Sequence, residues 1–558
     1  MPPISKTSKP ASQCTHPTLC YTTTHHAQKA GYVRPTLSQR LAAATPAGTF
    51  TTPLPKYSNP DLNSYPDTDP NSSSESDTES KLYPAPLVLP GSEISLYPQA
   101  RGQSLRGWLR NGNVNRVTEE RKVIYISLPP GYGDGVEGMR GWAVPVGFGD
   151  ANQGMGKGKE KGRGGNRGNG NGKRMGMGMG LDYELVARYV GVFYHGLEVK
   201  VLPEGEFAWL IDEDGNGNRD SEDPAAQEKR KGKSRAKTKG NSKARSRSRA
   251  ALDFENDPRI GLRSSSSNEY TTIRSRPTPN YPYSNQLNLN DILDFAIASL
   301  PDDAYALLML LEHDLYEDEE DEFVCGRAYG GSRVAVVSGA RYWPGFDDEE
   351  NVERVHGWPA SHCEGYLETL LGEDKPKSGR KKEGDVKKSV VVGVEANEGI
   401  ERATPLQRAL KVYAPPTTPK ALTLLHIARL ARTASHELGH CVGIAHCTYY
   451  ACIMQGSASL AEDARQPPYL CPVDEAKVLR ATGKGVVSER RMGSWRRERL
   501  VAMRLFCKNV VEEWGVDGGG SMFECLEKWV EALIKREGEG SEREEERERV
   551  VIDLTMDE

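Results

Sequence analysis

His436, Glu437, His440, Gly443 and His446 stand in the order HExxHxxGxxH over residues 436–446. Two histidines four apart project from one face of a helix, a turn from each other, where two imidazole nitrogens can meet a single metal ion. Glu437, beside the first of them, has the carboxylate that can draw a proton from a metal-activated water as general base. Gly443 governs the third imidazole: glycine takes the left-handed conformation at little steric cost, so a helix can stop there and the chain can swing His446 back to the ion. Three protein ligands leave one coordination position open, as a catalytic zinc requires. A purely structural zinc needs ligands but no base, so Glu437 points to hydrolysis.

The residues beyond the third histidine narrow the reading. The chain continues through Cys447, Cys452 and Met454, then a polar stretch, then Cys471-Pro472-Val473-Asp474. This resembles the archaemetzincins, or archaelysin metallopeptidases, of the metzincin clan, whose motif runs on with a Cys, a second Cys, a Met and a terminal Cys-x-x-Cys. The resemblance implies that Cys447, Cys452 and Cys471 hold a second, structural zinc and that Met454 forms the Met-turn beneath the catalytic one. One position departs from the pattern: Asp474 stands where the family has its fourth cysteine. A carboxylate oxygen can bind zinc but is less typical of a closed thiolate site. Asp474 is therefore the candidate fourth ligand, with Cys441 or another group as substitutes. The other reading is three buried free cysteines, since cysteine is among the most buried residue types without any metal.

These side chains need elements to hold them. Residues 421–434 (ALTLLHIARLARTA) place Leu422, Leu425, Ala428 and Ala431 at the three-to-four spacing of a helix with one buried face, so the motif is expected on a long helix. His426, on that element but outside the motif, reads as a packing or surface residue. Residues 181–202 read as helix then strand, and 288–316 as helix, turn and buried strand; both resemble segments of archaemetzincin catalytic domains. Residues 323–342 supply two β-rich runs about Gly330-Gly331. In metzincins an exposed edge strand beside the cleft pairs with an extended substrate, and Arg333 to Val337 is the candidate, an ordinary paired strand being the alternative. The fold class expected is α+β: a metzincin-like zinc peptidase domain with a mixed sheet and an active-site helix, interrupted by long disordered insertions. Helices expected over 490–514 and 522–535, joined by Gly518 to Gly520, pack on this domain or form a small appendage, with Cys507 and Cys525 as core residues.

Of the 558 residues only 37% are hydrophobic, and the mean hydropathy is −0.62, so much of the chain cannot build a core. Residues 1–115, rich in Pro, Ser and Thr, read as a largely disordered region. The catalytic domain is expected over 116–485, with low-complexity insertions at about 151–180, 213–285 and 374–388, which surface loops tolerate because closure cost grows slowly with length. A helical segment comes next over 486–540 and a charged tail over 541–558. No repeat of fixed period appears.

The N-terminal residues lack an apolar signal core, and no run approaches the roughly 20 apolar residues of a membrane span, so an intracellular, cytoplasmic or nuclear location is expected, not secretion and not a membrane. Ten cysteines, three of them clustered beside the histidine motif, favour metal over disulfides. Lys229 to Arg249 is a basic run suited to nuclear import or non-specific nucleic-acid contact, with a solvated loop as the other reading. A net charge of −5 excludes a dedicated nucleic-acid protein. At the C-terminus Val550, Val551, Ile552 and Leu554, flanked by acidic residues, resemble a SUMO-interacting motif, which adds a short strand to a sheet edge; docking onto its own domain is the alternative. Together these features predict a zinc-dependent hydrolase of peptide or protein substrates with one catalytic and one structural zinc, an aminopeptidase or a protease of restricted range. The second reading is a zinc-stabilised SUMO-binding interaction protein with little or no peptidase turnover.

Overall fold

The structure, a computed structural model, describes residues 18–49, 82–146, 181–211, 260–372, 403–483, 488, 491–515 and 520–536. The strands in chain order are β1 (Val123–Ser127), β2 (Gly131–Tyr132), β3 (Glu198–Val201), β4 (Phe207–Ile211), β5 (Ile260–Ser264), β6 (Tyr270–Ile273), β7 (Ser275–Pro277), β8 (Asn285–Asn288), β9 (Ala304–Leu311), β10 (Asp314–Tyr316), β11 (Gly326–Tyr329) and β12 (Val334–Ser338). The main sheet has the order β11-β12-β9-β1-β3. Its last four strands run parallel, and β11 closes the other end antiparallel to β12. The fold is therefore mixed α+β, as expected from the sequence.

β9 explains how this sheet divides the molecule. All eight of its residues are buried, and alternate side chains of a strand face opposite ways. Ala306, Leu308 and Leu310 join Ile124, Ile126, Ala335 and Val337 in a core shared with the helices Tyr183–Phe193 and Pro419–Cys441. Leu307, Met309 and Leu311 join Val334 and Val336 in a second core, roofed by the helix Leu289–Ala298 and by β4 and β5. A strand covered on both faces reads as a continuous apolar run, which is what the sequence AYALLMLL displays.

The long helix Pro419–Cys441 crosses the first face. Pro419 lies in its first turn, and the Thr418 side chain accepts from the Ala421 N–H, satisfying a donor that the helix start leaves orphaned. The expected apolar stripe is corrected: at the start of the helix Ala421 and Leu424 are buried while Leu422 and Leu425 are half-buried, and from His426 to Glu437 all but His436 is buried. His426 is a core residue whose Nε2 pairs with the Gly339 carbonyl at 2.7 Å. Arg429 makes two hydrogen bonds to the Asp347 carboxylate, at 2.7 and 3.0 Å, tying the helix to the segment after β12.

Three further expectations are corrected. Arg333 to Val337 is not the edge: β12 is paired on both sides, by β11 and β9, and the edge strand is Gly326–Tyr329. Only part of 213–285 falls outside the described residues, and from Ile260 the chain forms β5 to β8; polar composition hid the alternation of Ile260, Leu262 and Ser264, which are buried against β4. The described part of 1–115 is folded onto the domain. It includes the helices His25–Ala30, Leu37–Ala43 and Leu105–Arg110, and Tyr83, Leu87, Val88, Leu89, Leu105 and Trp108 are all buried. A few large anchors suffice where the average composition argues against a core.

The C-terminal helices, Met492–Trp514 and residues 522–536, join the first core, with Cys507 and Cys525 fully buried. Trp529 stacks on Tyr469 at 3.9 Å between ring centroids. Among the described residues no helix is long and apolar enough to cross a membrane.

Candidate metal centres and cleft

The helix carrying the motif ends as the sequence predicts. Gly443 has φ +83°, its N–H donates to the His440 carbonyl at 2.9 Å, and the Ile444 N–H reaches back to the Gly439 carbonyl at 3.0 Å. These two bonds cap carbonyls that a helix end would leave open and turn the chain so that His446 faces His436 and His440. The ring centroids of the three lie 4.8, 5.4 and 5.0 Å apart.

Each imidazole is held by its Nδ1. His436 donates to the Ile453 carbonyl at 2.7 Å and His440 to the Ile444 carbonyl at 2.7 Å. His446 is bonded to the Glu93 carboxylate, also at 2.7 Å. A carbonyl accepts only, so the proton of His436 and of His440 sits on Nδ1 and each Nε2 keeps its lone pair. Those two Nε2 atoms are 3.1 Å apart, and one ligand atom from each of the three rings falls within 4.8 Å of the others. Burial, then the neighbouring imidazoles, pushes His436 well below the usual histidine range; burial and His446 push His440 down to about 4. Both are neutral donors at neutral pH. At His446 burial acts in the same direction, but the hydrogen bond and charge of Glu93 outweigh it and raise the ring. Three converging imidazoles, oriented from behind, suit a zinc ion.

Glu437 is buried against the same cleft. Desolvation pushes its carboxyl up to about 7, with His446 and Arg327 pulling it down. The cleft, about 910 Å³, is bounded on one side by residues of the motif and on the other by Phe323 to Ala328, which includes the edge strand β11. Arg327 on that strand pairs with Glu317. Beneath the motif helix, Met454 is fully buried, and a Cβ placed on Gly439 would stand 2.5 Å from its Sδ. Glycine at position 439 is what lets the methionine approach the helix between His436 and His440.

The second cluster is buried. Cys447, Cys452, Cys471 and Asp474 are all buried, with ligand atoms within 4.8 Å of one another. Cys447 Sγ is 3.6 Å from Cys471 Sγ, and Asp474 Oδ2 is 3.3 Å from Cys452 Sγ and 3.4 Å from Cys471 Sγ. Two backbone N–H groups, of Met454 and Cys471, point at Cys452 Sγ, which favours negative charge on that sulfur, while burial foremost pushes its thiol well above the usual range. Burial foremost, then the charge of Cys447, lifts Asp474 to about 7, and Lys477 opposes both. Three buried thiols and a buried carboxyl suit a cation with soft and borderline affinity such as zinc. Cys441 is not part of the cluster, whose fourth group is Asp474.

The sequence reading missed Glu93, because its contact with His446 spans 353 positions of chain and no local pattern marks it. It missed Lys477 too, although a lysine three residues after Asp474 on a helix is a readable ion-pair spacing. Val550, Val551, Ile552 and Leu554, and the basic run Lys229 to Arg249, lie outside the described residues.

Residues 389–478 match the model of peptidase family M54. The chain is 27% identical over 208 residues to archaemetzincin-2 of Mus musculus, covering 37% of this chain and 45% of that protein. It is 25% identical over 256 residues to archaemetzincin-2 of Macaca fascicularis, covering 45% and 57%. The chain thus spans about half the length of the curated relatives it matches. The crystal structure of archaemetzincin from Methanopyrus kandleri aligns at 19% identity over 39% of this chain and 67% of that one, with a TM-score of 0.18. The family match falls on the segment that carries both metal-ligand clusters and Met454, and it is there that the chain is similar to the archaemetzincins.

Proposed function

We propose that this chain is a zinc-dependent peptidase of archaemetzincin type. His436, His440 and His446 would hold the catalytic zinc, and Cys447, Cys452, Cys471 and Asp474 a structural one, with Met454 as the Met-turn residue. The observation that carries the reading is the histidine triplet with its Nδ1 atoms engaged, opening on a cleft that also contains Glu437. A zinc ion held there supplies Lewis acidity, acidifying water and polarising a peptide carbonyl. Glu437 accepts the proton of the attacking water and returns it to the leaving amine. β11 offers an unpaired edge along the cleft, on which an extended peptide can lie through main-chain hydrogen bonds.

The test is hydrolysis of a peptide library, with elemental analysis, on wild type, Glu437→Gln and His440→Ala. Glu437→Gln should keep both zinc ions and lose about 10²- to 10⁴-fold in rate, the usual range for a general base; His440→Ala should lose the histidine-bound zinc and the activity while the cysteine cluster stays loaded. Comparison of peptides with free and blocked N-termini decides between an aminopeptidase and an internal cleaver. Full zinc occupancy with no Glu437-dependent cleavage of any peptide would overturn the proposal in favour of an interaction protein.

A further inference from the structure

The three candidate zinc ligands are not oriented alike. His436 and His440 rest on backbone carbonyls supplied by residues 453 and 444, within the motif's own loop. His446 rests on a side-chain carboxylate brought from the other end of the described chain. Glu93 opens the four-residue helix Glu93–Leu96, which Ser92 caps through the Ser95 N–H.

Several contacts aim this carboxylate. The Glu93 N–H donates to both oxygens of Glu462, at 3.2 and 3.0 Å, and Glu462 also accepts from the Ala458 N–H at 2.9 Å. A Cβ added to Gly456 would stand 1.5 Å from Glu93 Oε2, so the Glu93 carboxylate occupies space that only glycine leaves free there. The segment around Glu93 is fastened to the same loop. The Ala451 N–H donates to the Pro84 carbonyl at 2.9 Å, Gln103 bonds the Gly443 carbonyl at 3.0 Å and the Ala445 N–H at 3.3 Å, and the Trp108 indole donates to the Val442 carbonyl at 3.0 Å.

A carboxylate on the far nitrogen of a metal-binding imidazole fixes its tautomer and ring plane and strengthens it as a donor. We propose that Glu93 is the positioning carboxylate of the third histidine: docking of residues 82–108 against the motif loop orients His446 and sets the affinity of the three-histidine site for zinc. The inference rests on the proposed zinc chemistry of that site. Glu93 touches neither substrate nor metal in this role; it acts through His446.

The full-length protein, stripped of metal, provides the test. Zinc affinity is measured by competition with a chromophoric chelator for wild type, Glu93→Gln, Glu93→Ala, Gly456→Ala and His440→Ala. Cobalt(II) replaces zinc in parallel, because the thiolate-to-cobalt band of the cysteine cluster reports that site and the fold separately from the visible bands of a three-histidine site. Glu93→Ala and Gly456→Ala should weaken the three-histidine site by about 10- to 100-fold, the usual cost of losing such a partner. Glu93→Gln, which keeps an acceptor oxygen without the charge, should fall between them and wild type, and the thiolate band should persist in all of these variants. Unchanged affinity in Glu93→Ala, with the site lost in His440→Ala, would overturn this inference and leave the peptidase reading intact. A wild type that takes up no zinc at the histidines would overturn both.

Discussion

Asp474 divides its carboxylate between a cation and a thiol cluster. Oδ1 accepts from Lys477 Nζ at 2.7 Å, while Oδ2 faces the sulfurs of Cys452 and Cys471. Both side chains are 1% exposed. A metal bound by three thiolates and a carboxylate carries net negative charge, and Lys477 is the cation in contact with that carboxylate.

Removing one partner of a buried ion pair leaves the other charge stranded, at about 3–5 kcal/mol. Lys477→Met should therefore lower thermal stability sharply and loosen zinc retention in the cysteine cluster against a chelator. A melting temperature and zinc content equal to wild type would contradict this role for the lysine.

Gly443→Ala combines two penalties. Its φ of +83° costs an L-residue about 1–2 kcal/mol, and the new Cβ would stand 2.6 Å from Val114 Cγ2. Since Gly443 turns the chain toward His446, the variant should lose zinc from the three-histidine site at chelator concentrations that leave the cysteine cluster loaded. Metal analysis after dialysis reads the difference, and loss of neither metal would count against the turn as the device that delivers His446.

The glycine turn and the cysteine cluster illustrate what residue order makes legible. Ligand spacing within a helix or a tight turn is local, so His436, Glu437, His440, His446 and the cysteine cluster could be found from the sequence. The edge strand could not, because an edge is defined by pairing order. The uninterrupted apolar run within Val334–Ser338 does speak for a strand covered on both faces, and exposed Arg327 marks Gly326–Tyr329 as the edge. Glu93 was beyond reach for a different reason: it lies in a Pro- and Ser-rich region whose average hides anchors such as Val88 and Trp108, and its partner is remote in sequence.

Three histidines outside the motif make stability depend on acid. His313, His362 and His426 are buried, and desolvation, the leading cause, pushes each down to about 4. Each pairs with a backbone carbonyl, of Met139, Ala85 and Gly339 respectively. Their unfolded value is about 6.5, so below that pH the unfolded chain binds protons the native one refuses. The stabilisation is complete above about pH 6.5 and is lost as pH falls toward 4, by at most roughly 3 kcal/mol per histidine. Urea midpoints measured from about pH 7.5 to 4.5 should fall, and His313→Gln should flatten that decline; parallel curves for variant and wild type would remove His313 from the explanation.

A chain begun at residue 116, where composition places the start of the catalytic domain, lacks Glu93 and the buried Leu105 and Trp108. It should expose apolar surface that these residues cover, at about 1.5–3 kcal/mol for each large side chain. Reduced solubility and a lower melting temperature than the full chain are expected, and a truncated protein of wild-type stability would argue that the segment is dispensable for folding.

The antiparallel pair β4 and β5 bears on how so long a polypeptide houses so small a catalytic unit. Ile211 and Ile260, the residues on either side of the excursion 212–259, face each other in register. The chain therefore departs and returns at one point of the framework, where the closure entropy changes by only about 2 kcal/mol for a tenfold change in length. Such a junction can accept new sequence, or shed it, at little entropic cost, because the Ile211–Ile260 register fixes both ends of the excursion.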